Sequence, residues 1–174
     1  DNPRVYGARG MVGPVIFILG PSALALAQQI KLALAEDCEI HGARSVNGAD
    51  TVFDKATEYL QHLFLGGHPI IGICASGILI RALASVLSDK YQEPPVISVA
   101  EDGSSVVPLL GGHHGANTLA KKIAAACNGH AAITTSGDVR FGIALDEPPC
   151  GYELGNPEDA KAFMSALLHG EAVR

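Results

Sequence analysis

Glu101, Asp102, His113, His114 and Asp138 are the side chains of this sequence best suited to pass a proton near neutral pH. Each also has a plainer use. Glu101 and Asp102 precede Gly103 and read as hairpin-turn residues, and Asp138 follows Thr134-Thr135-Ser136-Gly137, where a carboxylate organises a turn. The adjacent histidines are more informative, because Gly111-Gly112 and Gly115 place them on a loop ahead of a helix, from which an imidazole reaches outward. Two neighbouring histidines with no spaced third ligand do not make a tetrahedral zinc set, so no metal or other cofactor of the protein's own is expected.

Backbone N–H groups are the second resource. Two segments run from an apolar stretch through a tight turn into a helix: Cys74-Ala75-Ser76-Gly77-Ile78 and Leu110-Gly111-Gly112-His113-His114-Gly115-Ala116-Asn117. Such turns present amides to a carboxylate or an oxyanion, and glycine allows close approach to the main chain. The expected substrate-binding set is Ser76, Gly77, Arg81, Gly111, Gly112, Gly115 and Asn117, with both turns forming one cradle. Ser76 suits helix capping and hydrogen bonding to substrate, since Cys74 and Ile78 break the G-x-S-x-G nucleophile pattern. Arg81 suits a substrate carboxylate or an ion pair within the protein.

The elements that must carry these turns alternate. The pattern predicts a strand at 15–19, helix at 22–35, strand at 38–41, helix at 52–65, strand at 70–74 and helix at 78–87. Strands at 96–100 and 106–110 follow, paired antiparallel through Glu101-Asp102-Gly103, then a helix at 117–127 and a strand at 131–135. A last helix has Asn156 as its cap and Pro157 at its first position, and stops at Gly170. The fold class expected is α/β: three layers, α/β/α, with a mainly parallel sheet and a local antiparallel hairpin. Residues 1–150 are read as one domain, and 151–174 as a C-terminal helix leading toward a linker or a further domain.

Composition agrees: 48% of residues are apolar and 17% charged, which excludes a disordered chain. A net charge of −6 without clustered Lys or Arg argues against nucleic acid. Cys38, Cys74, Cys127 and Cys150 include no CxxC pair, so neither a zinc knuckle nor a disulfide framework is indicated, and a reducing cytoplasm is expected. Arg4 and Arg9 ahead of the apolar run Met11–Leu26 imitate a secretory leader, but Gly20-Pro21 breaks that run and favours a strand followed by a helix. No apolar run predicts a helix across a membrane, and no phosphate-loop or dinucleotide fingerprint is present.

Gly72-Ile73-Cys74-Ala75-Ser76-Gly77-Ile78-Leu79-Ile80-Arg81-Ala82-Leu83-Ala84 resembles the signature of the N-terminal domain of the CbiG family of cobalamin-biosynthesis proteins. Asp89-Lys90, Pro94-Pro95-Val96, Val99, Glu101-Asp102-Gly103, Val106 to His113, Gly115-Ala116-Asn117, Ile133-Thr134-Thr135 and Asp138 follow in family order. One departure stands out: relatives read Gly-His-x-Gly-Gly-Ala-Asn where this chain has the shorter Gly112-His113-His114-Gly115-Ala116-Asn117. The resemblance implies hydrolysis of the ring-A lactone of cobalt-precorrin-5A with release of acetaldehyde, any cobalt belonging to the substrate. It does not single out catalytic residues. Implied partners are a corrinoid intermediate and either a C-terminal CbiG domain or a precorrin methyltransferase; the alternative is a non-catalytic corrinoid-binding module serving such a methyltransferase. Self-association is left open.

Overall fold

The computed structural model describes residues 12–34, 37–141, 152 and 154–171; the expectations at Arg4, Arg9, Pro148, Pro149 and Cys150 lie outside them. The chain divides into two compact units, Asp1–Ala132 and Ile133–Arg174.

The first unit begins with β1 (Val15–Ile18), whose residues are all buried, and a 3-10 turn at Pro21–Ala23 leading into α1 (Leu24–Leu34). It continues with β2 (Glu39–Ala43), β3 (Thr51–Phe53), α2 (Ala56–Leu65), β4 (Ile70–Ile73) and α3 (Ser76–Leu83). β5 (Val96–Val99), β6 (Ser105–Leu110), a 3-10 turn at Gly112–His114, α4 (Ala116–Cys127) and β7 (His130–Ala131) complete it. Strand order is β3-β2-β1-β4-β5-β6-β7. β1 to β5 run parallel, and β6 returns antiparallel to β5, as expected of the Glu101-Asp102-Gly103 hairpin, with Gly103 at φ 74°.

Alternation along the strands divides the core between two layers. Val15, Phe17, Ile70 and Val96 pack on one face with Leu60, Leu63 and Phe64 of α2 and Leu79, Ala82 and Leu83 of α3. The intervening Ile16, Ile18, Ile71, Ile73, Ile97 and Val99 are equally buried and serve the other face, where α1 and α4 pack together.

Two elements differ from expectation. The helix predicted from residue 52 starts at Ala56, because Thr51-Val52-Phe53 adds an edge strand to β2 and the Phe53 ring stacks on Phe17 at 4.7 Å. The strand predicted over 131–135 stops at Ala131. Ser104 and Val106 of the β6 side accept bonds from His130 and Ala132, and the next position facing β7 is Pro108, which has no N–H to extend the ladder. The second unit contains α5 (Ser136–Phe141), which the sequence reading missed, and α6 (Pro157–Leu168), capped at Asn156 with Glu158 and Asp159 in its first turn.

Candidate functional site

Open parallel sheets hold ligands beyond the carboxyl ends of their strands, where neighbouring connections leave on opposite faces and a crevice opens between them. Here that place is the junction of β1 and β4. They are hydrogen-bonded neighbours, but β1 continues into α1 on one face and β4 into α3 on the other. Gly20-Pro21-Ser22 forms one wall, and beside Gly20 the nearest side-chain atom, Ser22 Oγ, lies 3.9 Å from where a Cβ would stand. Cys74-Ala75-Ser76-Gly77 forms the other.

Ser76 is the first helical residue of α3; Ala75 holds the cap position with no side-chain hydrogen bond, so the capping role expected of Ser76 is not its role. Arg81 is exposed and folds back over the helix start, Nη1 donating to the Gly77 carbonyl at 3.0 Å. The guanidinium lies 2.8 Å from the position a Gly77 Cβ would take, so glycine there makes room for the cation. β5 ends beside this turn, Ile73 pairing with Val99, which brings Glu101 and Asp102 to the same edge. Both are exposed. Asp102 Oδ1 accepts from the Ser104 N–H at 3.0 Å, and the hydrogen bonds from Ser104 hold its carboxyl below the usual range. Asp102 is therefore a turn organiser; no such bond occupies Glu101 among the hydrogen bonds described.

The histidines are elsewhere. β6 runs against β5, so Leu110 pairs with Val96 and the turn beyond it sits at the amino ends of the parallel strands. Four-residue strands rising ~3.3 Å per residue put the two glycine turns on the order of 13 Å apart, at opposite edges of the sheet. The single cradle expected from sequence is thus overturned. At this second edge Gly111 adopts φ 78°, and a Cβ on it would meet Pro94 and Pro95 backbone at 2.6 Å. His114 Nε2 donates to the Tyr91 carbonyl at 2.6 Å, and Lys90 Nζ lies 4.8 Å from the centre of the Tyr91 ring. Gly112 stands in open space, Gly115 has φ 84°, and Asn117 is buried in the first turn of α4. His113 lies in the 3-10 turn. Asp138 belongs to α5, in the other unit. Ser76, Gly77, Arg81, Glu101 and Asp102 therefore share one edge of the sheet, and Gly111, Gly112, His113, His114, Gly115 and Asn117 lie at the other.

Residues 58–138, which include both turns, match the family described as Cobalamin synthesis G N-terminal. The chain is 32% identical over 140 residues to the cobalt-precorrin-5A hydrolase of Salmonella typhimurium, covering 75% of this chain and 38% of that protein. It is 38% identical over 117 residues to the cobalt-precorrin-5A hydrolase of Priestia megaterium, covering 66% and 31%. The resemblance to the CbiG N-terminal family is thus carried by residues 58–138. The chain spans less than two fifths of the length of these curated relatives. A crystal structure of a cobalamin biosynthesis protein G homolog from Sulfolobus solfataricus shares the fold, with a TM-score of 0.55 and 21% identity, covering 92% of this chain and 47% of that one.

The first unit also contains a polar cluster that the sequence alone did not reveal. His41 is buried on β2, its Nε2 2.8 Å from Glu39 Oε2 and its Nδ1 2.9 Å from the Tyr59 hydroxyl of α2. Tyr59 stacks on Phe53, and burial followed by the Glu39 charge pushes its hydroxyl upward, so it stays a phenol and ties α2 to the sheet. The signal was Glu39-x-His41, two polar residues on one face of a strand. Among the described residues, Cys38, Cys74 and Cys127 are free thiols, and burial pushes Cys38 to about 12 and Cys74 to about 11, which makes them poor nucleophiles. Among the described residues no His, Cys, Asp or Glu group could hold a metal ion, and no helix is long and apolar enough to cross a membrane.

Proposed function

We propose that this domain supplies the substrate cleft of a cobalt-precorrin-5A hydrolase, acting in cobalamin biosynthesis in a reducing cytoplasm. The observation that carries the reading is that the paired strands β1 and β4 lead into helices on opposite faces, the junction at which open sheets bind ligands, with α3 inside the segment shared with the CbiG N-terminal family. Lactone opening needs a water activated at the ring-A carbonyl, donors for the tetrahedral oxyanion, and a proton for the departing ring oxygen. Glu101 takes the proton from water. The Ser76 and Gly77 amides and the Ser76 hydroxyl meet the oxyanion, which collapses with cleavage of the ring C–O bond and transfer of a proton to that oxygen. In a retro-aldol step the resulting alcohol then gives up its proton, the C–C bond to the macrocycle breaks with its electron pair passing into the conjugated ring, and acetaldehyde leaves. Arg81 holds an acidic arm of the tetrapyrrole, and local charge of this kind is needed because the chain's net charge is −6. No protein cofactor or metal is required, cobalt being part of the substrate.

The second reading is a corrinoid-binding module that delivers substrate to a precorrin methyltransferase. It is favoured by the separation of the candidate bases, since His113 and His114 lie at the opposite edge of the sheet from Glu101. The full-length protein given cobalt-precorrin-5A distinguishes the two. Stoichiometric acetaldehyde, lost in Glu101→Gln, supports the hydrolase; tight corrinoid binding without aldehyde supports the module.

A further inference from the structure

Ser98 is one of three buried polar residues described, 4% exposed, in the otherwise apolar strand Val96-Ile97-Ser98-Val99. A hydroxyl removed from water must be hydrogen-bonded, and an apolar residue would suit this central strand better. Its partner is specific: Oγ donates to the carbonyl of Cys74 at 2.8 Å, the residue at which β4 turns toward α3. Ser98 is in register with Gly72, and a Cβ on Gly72 would lie 2.9 Å from both terminal methyl carbons of Leu79 and 3.2 Å from Cys74 Sγ. The two small residues thus leave a hollow in the sheet that seats Leu79 of α3, itself fully buried. One hydrogen bond fixes the turn and one notch fixes the helix behind it. Two residues past the held carbonyl stand Ser76 and its neighbour Gly77.

We infer that Ser98 is a positioning residue, which by holding the Cys74 carbonyl aims the Ser76–Gly77 amides into the crevice between β1 and β4. It touches no substrate and acts through the turn; the inference rests on the crevice being the substrate site.

The test compares Ser98→Thr with Ser98→Val in the full-length protein, since these side chains share a shape and differ in the hydroxyl. Ser98→Ala is carried alongside in case the larger side chains overfill the site. With cobalt-precorrin-5A as substrate, Ser98→Val and Ser98→Ala are expected to raise KM or lower kcat so that kcat/KM falls roughly tenfold, the effect of about one hydrogen bond, while Ser98→Thr recovers most of it. Amide exchange at Ile78, whose N–H donates to the Ala75 carbonyl, should quicken by a similar factor in Val and Ala and not in Thr, with the β5 amides unchanged. Equal behaviour of Thr and Val, or quickened exchange spread evenly over β4 and β5, overturns the inference. Exchange needs no substrate, so a wild-type protein that releases no acetaldehyde defeats the hydrolase reading while the local role of Ser98 is still decided.

Discussion

The two edges of the sheet use similar residues to opposite ends. At the carboxyl edge, Ser76, Gly77 and Glu101 follow the ends of β4 and β5, and a bond from Ser98 holds the Cys74 carbonyl ahead of the turn. At the amino edge the polar atoms turn inward: Gly111 is wedged against Pro94, His114 is tied to Tyr91, and Asn117 is buried. One glycine turn is supported so that it stays open, and the other is knotted shut. A glycine next to a polar side chain has no fixed meaning until its strand direction is known.

The largest effect should separate two adjacent residues of the knot. Gly111→Ala combines a positive φ with a backbone clash and should cost about 3 kcal/mol or more, read from the urea midpoint. Gly112→Ala faces open space and should stay within about 0.5 kcal/mol; equal losses at both would erase the distinction drawn for this edge. At the other edge, Glu101→Gln should lower kcat for acetaldehyde release by roughly 100-fold with an unchanged urea midpoint, since the side chain is exposed. A larger kcat loss in His113→Gln than in Glu101→Gln would move the chemistry to the amino edge.

Arg81→Ala should raise KM roughly tenfold and leave kcat within a factor of about two, with Arg81→Lys recovering part of the loss. His114→Gln should destabilise by about 1 kcal/mol through the lost bond to the Tyr91 carbonyl, measured by thermal unfolding. A further effect concerns pH. Burial raises the Cys38 thiol to about 12 from 9.0, so its contribution to stability is complete below pH 9 and is lost as pH climbs toward 12. Cys38→Ala should flatten the fall in stability across that window, and an unchanged slope would show that the thiol is not sequestered.

Much of the frame was legible because the buried strands are short apolar runs closed by Gly or Pro, and because Glu101-Asp102-Gly103 marks a hairpin. β3 was hidden since Thr51-Val52-Phe53 has only three residues before a helical pattern begins, and its identity comes from the stacking of Phe53 on Phe17, a contact between strands distant in sequence. The missed site residues share this cause. Ser98 looks like a surface alternation in an apolar run, and only the register with Gly72 shows what its hydroxyl meets. The error over a single cradle came from reading two strand–turn–helix segments as equivalent, although the antiparallel hairpin expected at Glu101-Asp102-Gly103 already sends β6 the other way.

That reversal has a further result. In a sheet whose strands all point alike, every following helix starts on one rim and the far rim gets only helix tails. Turning β6 round lets α4 begin on the far rim, so this small domain displays fresh helix beginnings at both ends of its sheet. Substitutions that reshape one rim need not disturb the other.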